Sequence, residues 1–245
     1  MAAPPRAISA QRPGAPGPIA DNSFLVEEAY NQERGVVQHI STFTRARRGD
    51  RWAYTFTQEW PVGGQRSQVS YAVPVEHRTG AARIGDVSLN YRYQLVAAGS
   101  RVAVAPRVTV VAPTGGAAAD AGGVGVQMAL PVSAIVAPWL VVHANLGAER
   151  RSSATAIGIG ASAIWRVRPA FNLMLELAGR RSDGRAGRER ELYLSPGVRW
   201  AHNFASGLQI VPGIAYPVGV GPSRGNDAFL FYVSFEHPFR KGAVS

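Results

Sequence analysis

Between Arg51 and Val62 apolar and polar side chains alternate. Trp52, Tyr54, Phe56, Trp60 and Val62 share one parity, broken only by Gln58, and Ala53, Thr55, Thr57 and Glu59 share the other. Successive side chains of a strand point to opposite faces, so this segment has one aromatic face and one polar face. Arg83 to Leu95 repeats the design, setting Val87, Leu89, Tyr91, Tyr93 and Leu95 against Asp86, Ser88, Asn90, Arg92 and Gln94. About twelve such segments lie between Val36 and Phe239, each near the length of a tilted membrane strand. The last carries Phe229, Phe231, Val233 and Phe235 on one parity. The first is open: Val37, His39, Ser41 and Phe43 compete with Val36, Gln38, Ile40 and Thr42 for the outward face. The pattern predicts an all-β chain, an antiparallel transmembrane β-barrel with its apolar face to lipid and its polar face around a lumen.

The connections alternate too. One set reads RARRGDR, HRTGAAR, PTGGAAADAGG, ERRSSA, RSDGRAGRER and VGVGPSRGND; the other reads VGGQ, VAAG, IVAPW, RPA and NFASG. Long extracellular loops and short periplasmic turns are the habit of outer-membrane barrels. With both termini periplasmic, Arg47, Arg48, Arg51, Arg78, Arg83, Arg150, Arg151, Arg181, Arg185, Arg188 and Arg190 are expected around the outer rim. Two of the expected strands, Phe171–Arg180 and Arg190–His202, flank the longest charged connection.

No apolar run is long enough for a transmembrane helix. The absence of cysteine excludes disulfides and thiolate chemistry. The net charge is +10, nearly all of it arginine, with Lys241 the only lysine. Arginine binds phosphate as a bidentate fork, which suits lipopolysaccharide and outer-membrane lipid as partners rather than nucleic acid. Residues 1–18 are rich in Pro, Gly and Ala and have no apolar signal core, so a disordered leader is expected there. Residues 19–35 are expected to form a short helix or coil plugging the periplasmic mouth, with Asn22 or Ser23 as cap and Gly35 as stop. The barrel is expected over 36–239 and a short tail over 240–245.

No catalytic, cofactor or metal site is predicted. The histidines His39, His77, His143, His202 and His237 have no ligand spacing. His143 and Asn145 share an inward parity, but no nucleophile elbow accompanies them, so they read as a polar lumen strand. The candidate lumen-lining residues are Glu59, Asp86, Arg92, Arg107, Glu149, Arg166, Glu176, Arg180, Arg199 and Glu236. Acids and bases are mixed, so charges are expected to pair across the lumen. Asp86 and Arg107, on neighbouring strands, are one expected pair.

The stretches GPIADNSFLVEEAYNQERGVVQHI, WAYTFTQEWPV, GDVSLNYRYQL and the PTG at Pro113–Gly115 resemble the bacterial outer-membrane transporter-like family named after the phenol meta-cleavage pathway. The resemblance implies an outer-membrane barrel linked to uptake of aromatic or other hydrophobic compounds, and carries no site residues across. The closing strand to Phe239 resembles the signal read by barrel-assembly machinery. The function expected is passive passage of small compounds without a cofactor. Three other readings fit the same pattern: a non-conducting structural barrel, an outer-membrane lipid hydrolase using His143, and a soluble lipid-binding barrel.

Overall fold

The computed structural model describes residues 19, 22–96, 100–115, 123–185 and 187–239. The expected leader over 1–18 and the tail over 240–245 lie outside the described residues. Twelve antiparallel staves close into a barrel. β1 (Val36–Ala46), β2 (Trp52–Pro61) and β3 (Ser67–His77) form a meander. The fourth stave is β4 (Arg83–Ile84) continued by β5 (Val87–Tyr93), and the fifth is β6 (Val102–Val104) continued by β7 (Arg107–Ala112). Then come β8 (Gly125–Ala137), β9 (Leu140–Arg150), β10 (Ala154–Arg168), β11 (Phe171–Gly184) and β12 (Gly187–Trp200). β13 (His202–Asn203) turns into β14 (Gln209–Ala215), extended by β15 (Val218–Gly219), and β16 (Ala228–Pro238) is last.

Closure has two parts. β16 runs along the whole of β1, from Val36↔Pro238 to Ala46↔Ala228. β14 bridges β16 to β12, where only Gly197↔Ala215, Val198↔Ile214 and Arg199↔Gly213 pair. A closed wall leaves no edge strand, so the backbone groups are satisfied within the sheet.

The period-two pattern sorts the faces. Leu89, Val110, Met128, Leu146, Ile159, Leu175 and Phe231 are exposed on the outside. Asn90, Arg92, Thr109, Ser133, His143, Ser162, Glu176 and Ser234 are buried on the inside. An apolar exterior around a polar interior is the reverse of a soluble lipid-binding barrel, which that reading required. In β1 the outward parity belongs to His39, Ser41 and Phe43, because Gln38, Ile40 and Thr42 stand opposite the inward Glu236, Ser234 and Tyr232. Outside, His39 stacks on Phe56 and His237, and Phe43 meets Trp52 and Phe231.

One expectation is corrected. The charged connection RSDGRAGRER is not a loop: β11 continues to Gly184 and β12 begins at Gly187, with Asp183 paired to Arg188. Its alternating charges suit a hairpin solvated on both faces, so pairing persists past the apolar band. Of the helix or coil expected over 19–35, the described part is coil; the only helical turn among the described residues is Gly221–Ser223. The main-chain N–H groups of Leu25, Val26, Glu27, Ala29, Asn31 and Gln32 bond to side chains of the barrel wall instead of to carbonyls one turn back.

Candidate functional site

Residues 22–34 lie inside the barrel and follow the wall round, visiting the staves in reverse order. Phe24 packs against Tyr232 of β16, ring centroids 5.0 Å apart, beside Ile40 and Leu230. The N–H groups of Leu25 and Val26 donate to one oxygen of Glu176 on β11 at 2.8 and 3.0 Å. Glu27 reaches Asn145 on β9, Ala29 reaches Ser133 on β8, and Asn31 reaches Gln94 just past β5. Gln32 donates to Gln68 on β3 and meets Gln38 on β1. The segment then turns through Gly35, at φ 82°, into β1. It thus makes almost one circuit of the lumen.

The wall supplies what a neighbouring strand would. Asn145 accepts the Glu27 N–H at 2.6 Å and donates to the Glu27 carbonyl at 2.7 Å. Gln94 accepts from Asn31 at 3.0 Å and donates to the Ala29 carbonyl at 2.7 Å. A side-chain amide carries the same donor and acceptor as a peptide, so each completes the main-chain bonding of an otherwise unpaired coil. Glycine makes room at the start of the circuit. A Cβ at Gly213 would overlap the Phe24 ring, so the aromatic ring lies directly on the backbone of the β12–β14 seam.

The charges sort into two levels. At the lower level the bases come from the wall and the acids from both the segment and the wall. Glu27 bridges Arg92 at 3.2 Å and Arg107 at 3.0 Å. Glu28 meets Arg199 at 3.1 Å and accepts from the Ser23 hydroxyl at 3.0 Å. Arg92 also donates to the carbonyls of Glu28 and Tyr30 and lies 3.8 Å from Glu59, which accepts from Gln68 at 2.8 Å. Arg92 and Arg199 are only 3% and 1% exposed. Burial on this scale is tolerable because each guanidinium is met by both carboxylate and carbonyl oxygens.

The upper level lies towards the end opposite the termini and is built by the wall alone. Arg151 spans Asp86 at 2.5 Å and Glu149 at 2.7 Å, and Arg180 holds the other Glu149 oxygen at 2.7 Å. Asp86 stands between β4 and β5 and also accepts the Gly115 N–H at 3.1 Å. Its partial burial pushes the carboxyl up, but the Arg151 guanidinium and that N–H outweigh this and hold it below the usual carboxylate range. Arg151 is therefore drawn inwards rather than displayed on the rim.

The expected pair of Asp86 with Arg107 does not form. The β5–β7 register sets Arg92 opposite Arg107 and Val87 opposite Ala112. Asp86 is thus some six residues from Arg107 along the ladder, roughly 20 Å at strand rise. Each takes a nearer partner: Arg151 for Asp86, and Glu27 for Arg107. Of the remaining candidates, Glu236 faces Gln38 and Gln209 near the termini, with the Gln32 amide 3.5 Å away. Arg166 lies near the lower end of β10 and makes no ion pair among the described residues. The sequence reading missed Glu27 and Glu28 as lumen charges, and Gln68, Gln94 and Ser133 as anchors. The wall anchors share the inward parity, which was a usable signal; the two glutamates lie in no strand and had none.

His143 takes part in a buried chain. Its Nδ1 is 2.6 Å from the Ser133 hydroxyl, and its Nε2 is 3.8 Å from Glu28. The residue order resembles a nucleophile, a base and an acid. Ser133, however, has no exposed surface and accepts the Ala29 N–H at 2.8 Å, so its oxygen is committed to holding the segment. The geometry is that of a fastening. Among the described residues no group of His, Asp or Glu is placed to hold a metal ion.

Above the segment a recess of about 300 Å³ opens away from the termini. Residues 22–27 form its floor. Thr42, Thr57, Ser70, Ser88 and Asn90 give one wall small neutral groups, while Ile40, Tyr232 and Phe24 give an apolar side. The charges that reach it, Glu27, Glu59 and Arg107, already have partners.

The sequence matches no known family model, and no curated protein matches it. Solved structures do. An outer-membrane channel named for COG4313 from Pseudomonas putida F1 superposes with a TM-score of 0.63 at 12% identity, covering 85% of this chain and 97% of that one. The KdgM porin gives 0.55 at 9% identity, covering 83% and 99%. The NanC porin gives 0.52 at 9% identity, covering 82% and 98%. At these identities the likeness is one of fold: this chain has the architecture of outer-membrane porin-like barrels.

Proposed function

We propose that the protein is an outer-membrane channel through which small compounds, including hydrophobic or aromatic ones, pass down their own gradient. The supporting observation is the lumen itself, with a polar wall, a recess open at one end, and a floor made of a segment held largely by hydrogen bonds and ion pairs. In this reading the termini lie on the periplasmic side and the recess faces outward. The segment sets the narrowest point and its displacement sets the rate. Similarity of fold to the COG4313 channel and the two porins agrees with the reading.

Liposome permeation tests it. The folded full chain should admit a small neutral solute faster than protein-free liposomes, and deletion of residues 1–34 should raise the rate. A second reading, a closed structural barrel, is favoured by one observation: Arg92, Arg107 and Arg199 are all engaged by the segment. Absence of permeation by both forms, in barrels shown to be folded, selects that reading instead.

A further inference from the structure

The ends of β9, β11 and β12 opposite the termini carry an arrangement that permeation does not need. Along β12 the residues Arg188, Glu189, Arg190 and Glu191 alternate in charge. Strand parity turns the two acids towards the lumen side, where Glu191 stands opposite Arg180 and Glu189 opposite Ser182. It turns both arginines outward. There Arg190 stands directly opposite Arg181, and Arg188 opposite Asp183. Arg150, outward on β9, lies on the same rung as Asp183, with Thr155 of β10 between them.

The outward face of this hairpin, with the neighbouring end of β9, therefore holds Arg150, Arg181, Arg188 and Arg190 around a single carboxylate. Asp183 is shared by Arg181 at 3.0 Å and Arg188 at 2.6 Å. Arg150 and Arg190 have no ion pair among the described residues. Like charges directly opposite on one face destabilise a sheet unless an anion lies between them. Ile157 stands beside Arg181 on the same rung. Immediately below, towards the termini, the same face turns apolar, with Leu146, Ile159, Leu177 and Leu194 exposed. The cations thus begin where the apolar band ends.

We propose that this patch binds the phosphate group of an outer-leaflet lipid. Adjacent guanidiniums offer paired N–H donors to phosphate oxygens, and the apolar residues below offer a bed for the acyl chains. A free phosphate ion would use only the upper half of this surface, which is why the occupant is a lipid. The assignment rests on the outward orientation in the proposed function but not on conduction, and permeation does not enter its test.

The full chain in neutral detergent micelles is titrated with a bisphosphorylated lipid A and with its dephosphorylated counterpart, and retention is read by native mass spectrometry. The native chain should retain the phosphorylated lipid and release the other. R181Q/R190Q should weaken retention by roughly thirtyfold, while E189Q/E191Q, changed on the opposite face, should stay within about twofold. Heat-modified gel mobility verifies that both variants are folded barrels. Equal retention of the two lipids would overturn the proposal, and so would an unchanged R181Q/R190Q. Displacement of the lipid by excess inorganic phosphate would also overturn it, in favour of a free-anion site.

Discussion

Arg92, inward on β5, meets Glu27 of the internal segment at 3.2 Å across 65 positions of sequence. The pair fastens a coil with no secondary structure of its own to a buried wall cation whose other carboxylate, Glu59, lies 3.8 Å away. Removing one partner should therefore cost more than an exposed pair is worth. Arg92→Ala is expected to destabilise the barrel by about 3–5 kcal/mol, because Glu27 and Glu59 lose their shared base. Urea unfolding of vesicle-inserted protein measures this. A double-mutant cycle of Arg92→Gln with Glu27→Gln should show coupling on the order of 1–3 kcal/mol. Strict additivity would mean that the segment is not held at this point.

The face assignment has its own test. Leu175 points to lipid midway along β11, and arginine there should cost about 2–4 kcal/mol. Thr57 points into the open recess, where arginine can be hydrated. Assembly into membranes should fail for Leu175→Arg and survive for Thr57→Arg. Met174 is no substitute control, since at 3% exposure it has no space for a larger side chain.

Phe24 and Gly213 form a second contact that can be broken from either side. Gly213→Ala places a methyl group in the ring's position. It should lift the start of the segment from the β12–β14 seam and raise solute flux in liposomes. Phe24→Ala in the same chain should bring stability back towards that of Phe24→Ala alone, since the clash is gone. If Gly213→Ala leaves both flux and stability at the native level, the ring does not occupy this place.

Acid should loosen the upper charge cluster only once the pH falls far enough to protonate Asp86. The Asp86 carboxyl is held below its usual range by Arg151 and the Gly115 N–H. A depressed carboxylate stabilises the fold above its unfolded pKa of about 3.9, and that contribution disappears as pH falls through the lower folded value. Stability should be level with respect to this group above about pH 5 and fall below about pH 4. Asp86→Asn should remove part of that acid limb. An identical pH profile in the variant would show that Asp86 contributes nothing to it.

Alternation alone determined the face of nearly every strand residue. Leu89 and Leu175 had to point one way, and Asn90 and Glu176 the other, because strand side chains alternate whatever their partners are. The number of staves and the class of fold followed from the same count. Sequence also carried enough to put Arg92, Arg107 and Arg199 inside. It did not carry their partners. Asp86 and Arg107 shared a parity but were separated along the barrel axis by a register that only the paired ladder sets. The hairpin at 184–187 looked like a loop because its residues are charged, whereas strand pairing outside the apolar band needs no apolar face. The path of residues 22–34 was the least legible feature, since a coil has no period to read. Its course depends on partners as distant as Leu25 and Glu176, 151 positions apart, which come together only when the wall has closed around them.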